Sequence, residues 1–198
     1  MAREYGVCSV VVRPSDVDQV VRWMDGSGVL VVSTVGHPYG YASTGAKLYE
    51  GRDLLRRGAK EIDMTINIGK MISRQFQYVE MELVQMAKAC QEAGALLKVD
   101  LSTKYLSEEL KIAGAQICER VESAFASMDY NLRDLNLVRP LLKGRVQMKT
   151  SSGIESLAEA LEVREAGCTR FGTTETCSIL EDWKTHLEQL AAGAAAEG

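Results

Sequence analysis

Three ionisable side chains of this sequence have the types and positions needed for chemistry. Lys149 ends a short strand-like segment and is followed by a turn of small residues, 150–153, and then by the start of a helix. Lys98 and Asp63 lie inside other apolar segments, where charged residues are uncommon. A lysine at the carboxyl end of a strand, before a tight turn, is a typical way to place a reactive amine beside an anion site. For each residue, the alternative is a structural ion pair or a surface charge.

The elements that must position these side chains alternate between strand and helix. Apolar runs and turn residues predict strands at residues 7–12, 29–35, 61–66, 95–101, 123–127, 145–149 and 170–172. Helices are predicted at residues 15–25, 43–57, 76–93, 107–120, 131–142, 156–165 and 176–190. This alternation predicts an α/β fold with a parallel sheet, as in a TIM barrel that lacks one of its usual eight units. A doubly wound open sheet is the alternative, but no glycine-rich dinucleotide turn follows the first strand.

The composition indicates one globular domain over residues 1–198, in which residues 191–198 are expected to form a frayed tail. The net charge of −4 argues against a nucleic-acid partner. No apolar run approaches the roughly 18 residues of a membrane span, and the first residues lack the apolar core of a signal peptide. The five cysteines are scattered and form no disulfide or zinc pattern, so we expect a cytoplasmic protein without a bound metal.

Five blocks of the sequence resemble the deoxyribose-phosphate aldolase family, in family order and over nearly the whole chain. They are residues 34–40 (TVGHPYG), 61–69 (EIDMTINIG), 96–103 (LLKVDLST), 147–154 (QMKTSSGI) and 169–174 (TRFGTT). The resemblance implies a TIM barrel with a polar site at the carboxyl ends of its strands. It implies a lyase that forms a Schiff base through a lysine and needs no cofactor. It also implies that Asp63 shuttles protons, that Lys149 is the second lysine of the site, and that Lys98 is a further lysine there.

The lysine that forms the Schiff base in this family is missing. The family carries it on the strand before the one that ends at Lys149, and no lysine occurs between Lys111 and Lys143. Our alignment of the blocks places Ala126 at that position. The family's first strand and helix also have no counterpart, since the chain starts at the family's second strand. Exposed sheet edges would follow, which predicts a homo- or hetero-oligomer that covers them.

A substrate pocket is expected in the loops that follow three of the strands. Its residues are Asp100, Ser102, Thr103, Ser151, Ser152, Gly153, Gly172, Thr173, Thr174 and Glu175. For Ser102 and Thr103, the alternative is a cap on the next turn. Glu175 stands where the family's phosphate pocket has a neutral hydroxyl. A carboxylate about 5 Å from a phosphate would cost on the order of 3 kcal/mol per charge pair, which argues against a sugar phosphate and for a small carbonyl or sugar-like substrate.

Three functions are compatible with these residues. In the first, Lys149 has taken over the Schiff-base role in an aldolase or related lyase, with Asp63 and Lys98 handling protons. In the second, a non-aldolase enzyme does acid–base work with a set of carboxylates: Asp63, Asp100, Glu122 and Glu175. In the third, the chain is a non-catalytic subunit that pairs with a complete aldolase-like relative. An enzyme is favoured because the two lysines and Asp63 occur together.

Overall fold

One sheet of seven parallel strands forms the centre of the molecule. The structure is a computed structural model that describes residues 1–196. Its strands are β1 (Ser9–Val12), β2 (Leu30–Val35), β3 (Glu61–Thr65), β4 (Leu96–Asp100), β5 (Phe125–Asp129), β6 (Gln147–Ser151) and β7 (Cys168–Gly172). They lie side by side in the order of the sequence, so β1 and β7 are the two edges. The predicted parallel α/β fold with seven strands is confirmed.

Helices connect the strands and cover the outer face of the sheet. They are α1 (Ala2–Tyr5), α2 (Val17–Met24), α3 (Thr44–Arg56), α4 (Ile68–Ile72), α5 (Phe76–Glu92), α6 (Glu108–Arg120), α7 (Leu132–Val138), α8 (Leu157–Glu165) and α9 (Thr176–Ala196). Side-chain oxygens of Ser43, Asn67, Ser107, Asn131 and Ser156 accept backbone N–H groups at five helix starts. The short helices α1 and α4 were not predicted, because four or five residues are too few to show a helical period.

The sheet curls strongly, although its edges are not joined. Arg170 on β7 reaches Glu61 on β3 with a hydrogen bond of 2.6 Å, although three strands separate them in the sheet. This contact requires the inner face to be concave. On the outer face, residues such as Ile62, Met64 and Val99 are fully buried in the hydrophobic core. Because successive residues point to opposite faces, the polar residues that alternate with them face the hollow.

Two predicted strands are misplaced along the chain. β5 was predicted at 123–127 and β6 at 145–149, and both begin and end two residues later. The last residues of both strands are polar, since they face the hollow, and a polar strand end has the pattern of a loop. The last helix was predicted to end at Leu190, which is wrong, because the alanine-rich residues that follow are strong helix formers and continue it to Ala196.

The far end of the chain is only partly described. Residues 197 and 198 of the expected tail, 191–198, lie outside the described residues, so fraying there stays a prediction. Within residues 1–196, no helix has both the length and the apolar composition that crossing a membrane requires.

Candidate active site

Asp63, Lys98 and Lys149 meet inside the curl of the sheet. They lie on β3, β4 and β6, and their side chains face the hollow. Lys149 Nζ donates a hydrogen bond of 2.8 Å to Asp63 Oδ2, and Lys98 Nζ lies 3.4 Å from the same oxygen. The structure therefore brings together the three residues that the sequence predicts as catalytic.

Two further charged residues extend this group into an ionic cluster of Arg170, Glu61, Lys98, Asp63 and Lys149. Lys98 Nζ lies 3.1 Å from Glu61 Oε2, and Arg170 Nη1 donates to both oxygens of Glu61, at 2.6 and 2.8 Å. Positive and negative charges alternate along the cluster, with three cations and two carboxylates. With every group charged, the cluster has one positive charge in excess. Burial disfavours this uncompensated charge, so the cluster favours the release of one proton.

The lysines of the ionic cluster differ in exposure. Burial raises the pKa of Asp63, but the positive charges of Lys98 and Lys149 outweigh it and hold that pKa below its usual value. Burial lowers the pKa of Lys98, and the carboxylates of Asp63 and Glu61 offset only part of this shift. Lys98 is 0% exposed and Lys149 is 5% exposed. Lys149 is thus the more accessible amine, while Lys98 gives up its proton more readily than an ordinary lysine.

Ser127 stands beside Lys149 inside the hollow. In the pairing of β5 with β6, Ser127 stands opposite Lys149, and in the pairing of β4 with β5, Asp100 stands opposite Ser127. Ser127 lines the hollow, whereas Ala126 is buried in the hydrophobic core. Ala126, which our alignment places at the position of the family's Schiff-base lysine, lies on the opposite face of β5, and which residue of β5 matches that lysine stays a prediction.

Asp100 faces the hollow from the end of β4. Its carboxylate accepts hydrogen bonds from the Ser102 N–H at 2.9 Å and from the hydroxyls of Thr65 and Ser102, each at 3.2 Å. Burial raises the pKa of Asp100, the Ser102 N–H opposes that shift, and the negative charges of Asp63 and Asp129 add to it. Asp100 is therefore a carboxyl that binds a proton more readily than usual.

A cavity of about 800 Å³ lies over the ionic cluster. It continues sideways into the gap between the edge strands, where Val11 of β1 and Phe171 of β7 line it. These two apolar side chains are 53% and 36% exposed. A cavity of this volume accepts a small organic molecule. Its floor is charged and its side wall is apolar.

Seven of the ten residues expected to bind substrate line this cavity, namely Asp100, Ser151, Ser152, Gly153, Gly172, Thr173 and Thr174. Ser102, Thr103 and Glu175 lie outside the set of described residues that line it. Ser102 and Thr103 are buried, and Ser102 holds the Asp100 carboxylate instead. Glu175 is exposed and accepts a hydrogen bond from the Thr174 hydroxyl at 3.3 Å. The expected repulsion between Glu175 and a bound phosphate stays a prediction.

The four carboxylates of the acid-rich alternative do not converge. Asp63 and Asp100 line the cavity, but Glu122 precedes β5 and pairs with Arg145 near the opposite end of the strands. Within the described residues, no group of three or more His, Cys, Asp or Glu side chains is arranged to hold a metal ion.

The sequence analysis missed Glu61, Arg170 and Ser127. Glu61 precedes Asp63 by two residues on the same strand, so strand alternation alone places both on one face. The same rule applies to Arg170, two residues before Gly172 on β7. A period-two reading of the polar positions would have found both.

Comparison with known proteins finds relatives that share one name. No family model matches the chain. A deoxyribose-phosphate aldolase of Bacteroides thetaiotaomicron is 32% identical over 190 residues, which is 92% of this chain and 80% of the relative. A deoxyribose-phosphate aldolase of Treponema denticola is 34% identical over 189 residues, covering 90% of this chain and 86% of the relative.

Solved structures agree with these relatives. The aldolase QR15 superposes with a TM-score of 0.87 at 30% identity, covering 94% of this chain and 86% of that chain. The tetrameric deoxyribose phosphate aldolase from Aeropyrum pernix superposes with a TM-score of 0.83 over 92% of this chain and 80% of that chain; at 23% identity it supports the fold alone. With the curled parallel sheet and the cluster at its centre, these relatives show that the chain belongs to the deoxyribose-phosphate aldolase family of lyases.

Proposed function

We propose that the protein is an aldolase-like lyase in which Lys149 forms a Schiff base with a small carbonyl compound. In this proposal Asp63 and Lys98 transfer protons. The observation that carries it is the contact of both lysines with one oxygen, Asp63 Oδ2, at 2.8 and 3.4 Å on the floor of a cavity. The relatives named deoxyribose-phosphate aldolase support the reaction class.

Access favours Lys149 over Lys98 as the nucleophile. Lys98 Nζ lies between the carboxylates of Glu61 and Asp63, at 3.1 and 3.4 Å, and the residue is fully buried. Lys149 has one carboxylate neighbour within ion-pair distance among the described residues and is partly accessible. Since Ser127 supplies no amine, Lys149 is left to attack a carbonyl carbon in the cavity.

The shared oxygen provides a path for the proton that Lys149 must lose before it attacks. Burial lowers the pKa of Lys98, so in the reactive form of the ionic cluster, which has released one proton, the proposal places the missing proton on Lys98. As Lys149 adds to a carbonyl carbon, its proton passes through Asp63 Oδ2 to Lys98. The cluster then keeps the same number of protons throughout the attack.

The bond changes follow from amine catalysis. Lys149 Nζ adds to the carbonyl carbon, and the carbonyl oxygen takes up protons and leaves as water, which gives an iminium ion. The neighbouring carbon–carbon bond then breaks, and its electron pair moves toward the iminium nitrogen to give an enamine. The hydroxyl of the departing fragment loses its proton and becomes a carbonyl. Protonation of the enamine and hydrolysis release the second product and restore the amine.

Reductive trapping tests this assignment. Acetaldehyde and sodium borohydride should add a two-carbon group to Lys149, which peptide mass spectrometry locates. Lys149→Met should lose the label, and Lys98→Met should slow its formation because the proton acceptor is gone. Lys104, which is largely exposed at the same end of the sheet, reports background labelling. Equal labelling of Lys149 and Lys104, or none at Lys149, would contradict the proposal.

Two substrate classes are compatible with this reaction, a free sugar and a sugar phosphate. The relatives' name specifies deoxyribose phosphate, whereas the Glu175 carboxylate, 3.3 Å from the hydroxyl of the cavity-lining Thr174, favours an unphosphorylated sugar. Cleavage of deoxyribose and of deoxyribose 5-phosphate, compared at equal concentration, decides between them. A preference for the unphosphorylated sugar would support the earlier expectation.

Assembly into an oligomer that covers the edges β1 and β7 stays a prediction. The Aeropyrum pernix relative is described as tetrameric, which gives a precedent within the family. Light scattering of this protein in solution tests the prediction, and a monomer at micromolar concentration would contradict it.

A further inference from the structure

We propose that Asp100 is a second catalytic carboxyl of this site, which exchanges a proton with the substrate carbon next to the iminium. The inference rests on the proposed function of Lys149 and assigns a residue to a step that the ionic cluster cannot perform. Two carboxyls in one cavity with opposite environments take different roles in acid–base catalysis. Asp63 and Asp100 are such a pair.

Asp63 is committed to the two amines. Its Oδ2 accepts a hydrogen bond from Lys149 and lies close to Lys98, at 2.8 and 3.4 Å. A proton that moves from Lys149 to Lys98 crosses this oxygen without staying on it. The two lysines hold the pKa of Asp63 below its usual value, so Asp63 is a poor proton donor to a substrate carbon, even at its Oδ1, which has no hydrogen-bond partner among the described residues.

Asp100 has no such commitment. Its hydrogen-bond partners are the Ser102 N–H and the hydroxyls of Thr65 and Ser102, all of them neutral. In the described part of the chain, no lysine or arginine nitrogen lies within ion-pair distance of it. These contacts fix the orientation of the carboxyl without tying it to one charge state, so Asp100 can gain and lose a proton in place.

The register of the strands puts Asp100 within reach of a group bound to Lys149. Asp100, Ser127 and Lys149 are direct partners on β4, β5 and β6, and all three line the cavity. Neighbouring strands are about 4.8 Å apart, so about 10 Å separates the outer two. A small carbonyl compound attached to Lys149 would lie over Ser127 with its next carbon facing Asp100. A lysine in place of Ser127 would fill that space.

The charges around Asp100 come from three other strands as well as its own. Asp63 on β3 and Asp129 on β5 raise its affinity for a proton, while Lys149 on β6, and Lys98 on β4 once it has accepted a proton, supply positive charge. Lys98 and Lys149 are both turned toward Asp63. Conversion of Lys149 to an iminium ion keeps one positive charge in the cavity, beside which Asp100 can act as a base.

The proposed step balances without any further reactant. The Asp100 carboxylate removes a proton from the carbon next to the iminium, and the carbon–hydrogen pair forms a carbon–carbon double bond. The iminium double-bond pair moves to nitrogen, which gives the neutral enamine. In the reverse direction, the protonated Asp100 returns the proton to carbon. In deuterated water, exchange of the Asp100 proton with solvent replaces this hydrogen by deuterium.

Deuterium exchange into the methyl group of acetaldehyde, followed by proton NMR, measures this step. Borohydride trapping at Lys149, measured in parallel, reports on Schiff-base formation alone. Asp100→Asn should keep trapping and lose exchange by about 100-fold or more, as expected for removal of a general acid–base group. It should also remove from the exchange profile the pH limb that reports this carboxyl. Exchange within about threefold of wild type, with trapping intact, would overturn the inference.

Asp129→Asn is the matched control. Asp129 also stands at a strand end, but it accepts the Lys104 N–H at 3.1 Å and lies outside the set of described residues that line the cavity. Its replacement should leave trapping unchanged and should reduce exchange by no more than about threefold, because Asp129 acts only on the proton affinity of Asp100. Exchange that falls equally in both variants would show that net charge matters and not the Asp100 carboxyl, which also overturns the inference.

A second measurement keeps the two proposals separable. If wild-type protein is not trapped at Lys149, the proposed function fails and the proton exchange beside the iminium fails with it, whereas intact trapping and intact exchange in Asp100→Asn overturn the role of Asp100 alone. Carbon-13 NMR of labelled aspartates should show Asp100 protonating at a higher pH than Asp63. The reverse order, or coincident titration, would overturn the role of Asp100.

Discussion

Ser127→Lys tests whether this site retains the capacity for its family's chemistry. The replacement puts an amine opposite Lys149, on the side of it that faces β5. Ser127 already lines the cavity, so the longer side chain extends into open volume rather than into the core. The introduced amine would lie between Lys149 and Asp100.

The electrostatic effect of this change can be worked from the strand spacing. Two like charges about 5 Å apart interact by roughly 3 kcal/mol at an effective dielectric near 20, or about two pKa units. Lys149 should therefore lower the pKa of the introduced lysine by about two units. Asp100, at a similar distance on the other side, raises it by about as much when it is ionised. The two effects nearly cancel unless Asp100 is removed.

Reductive trapping as a function of pH reads out this balance. In Ser127→Lys, borohydride and acetaldehyde should label the introduced lysine as well as Lys149. In the double variant with Asp100→Asn, the pH of half-maximal labelling at the introduced lysine should fall by about two units. Adding Lys149→Met to that double variant should raise it again, because the like charge is gone.

Identical labelling curves for the single and double variants would refute the electrostatic reasoning. They would mean that Asp100 does not face the introduced amine. Absence of any label on the introduced lysine, with Lys149 still labelled, would refute the placement of Ser127 beside Lys149. Circular dichroism of each variant separates these results from a loss of folding.

The remaining predictions concern stability. Asp63→Asn should lower the free energy of unfolding in urea by about 3–5 kcal/mol, because two buried cations lose their shared partner. Asp63 has a lowered pKa, so its contribution to the free energy of unfolding is present above its pKa in the unfolded chain and is lost as pH falls through its pKa in the folded protein. An effect of Asp63→Asn on stability that stayed the same in strong acid would contradict this. Asp100 has a raised pKa, so its ionised form destabilises the folded protein at neutral pH, and Asp100→Asn should be stabilising there. This gain should disappear below the pKa of an unfolded aspartate, about 3.9, and destabilisation at pH 7 would be contrary evidence. Glu82→Ala should cost about 3–5 kcal/mol, since it leaves the fully buried Lys47, 2.7 Å away, without its carboxylate partner. The exposed Glu109→Ala should cost far less, and equal losses would count against the reasoning.

The fold could be predicted from sequence because its signal repeats. Each apolar strand is followed by a helix, and seven repetitions outweigh one weak segment. Strand boundaries were harder to place where a strand ends in polar residues. Ser127 and Asp129 belong to β5, but they have the composition of a turn, and the predicted strand ended at residue 127. A two-residue shift keeps the faces of a strand, whereas a one-residue shift exchanges them, and Ala126 and Ser127 lie on opposite faces of β5.

The site was predictable where its residues lie on strands. Asp63, Lys98 and Lys149 converge because parallel strands present their alternate residues to one hollow. Side chains in loops are different, because nothing in the sequence fixes their direction. Glu175 is in the loop expected but lies outside the set of described residues that line the cavity, and Glu122 follows a helix near the other end of the strands. Only coordinates distinguish such residues from those that face a ligand.

The contact between Arg170 and Glu61 has a mechanical consequence. It ties β7, an unpaired edge, to β3 across the interior by two short hydrogen bonds, at 2.6 and 2.8 Å. In a closed barrel, hydrogen bonds between the first and last strands would fix the curvature of the sheet. Here the ion pair between Arg170 and Glu61 holds β7 near β3 instead. A ligand that attracted the Glu61 carboxylate would weaken this ion pair, and the gap between β1 and β7 would widen. Ligand binding at the ionic cluster and the width of the gap between β1 and β7 are thus linked through the Arg170 guanidinium group.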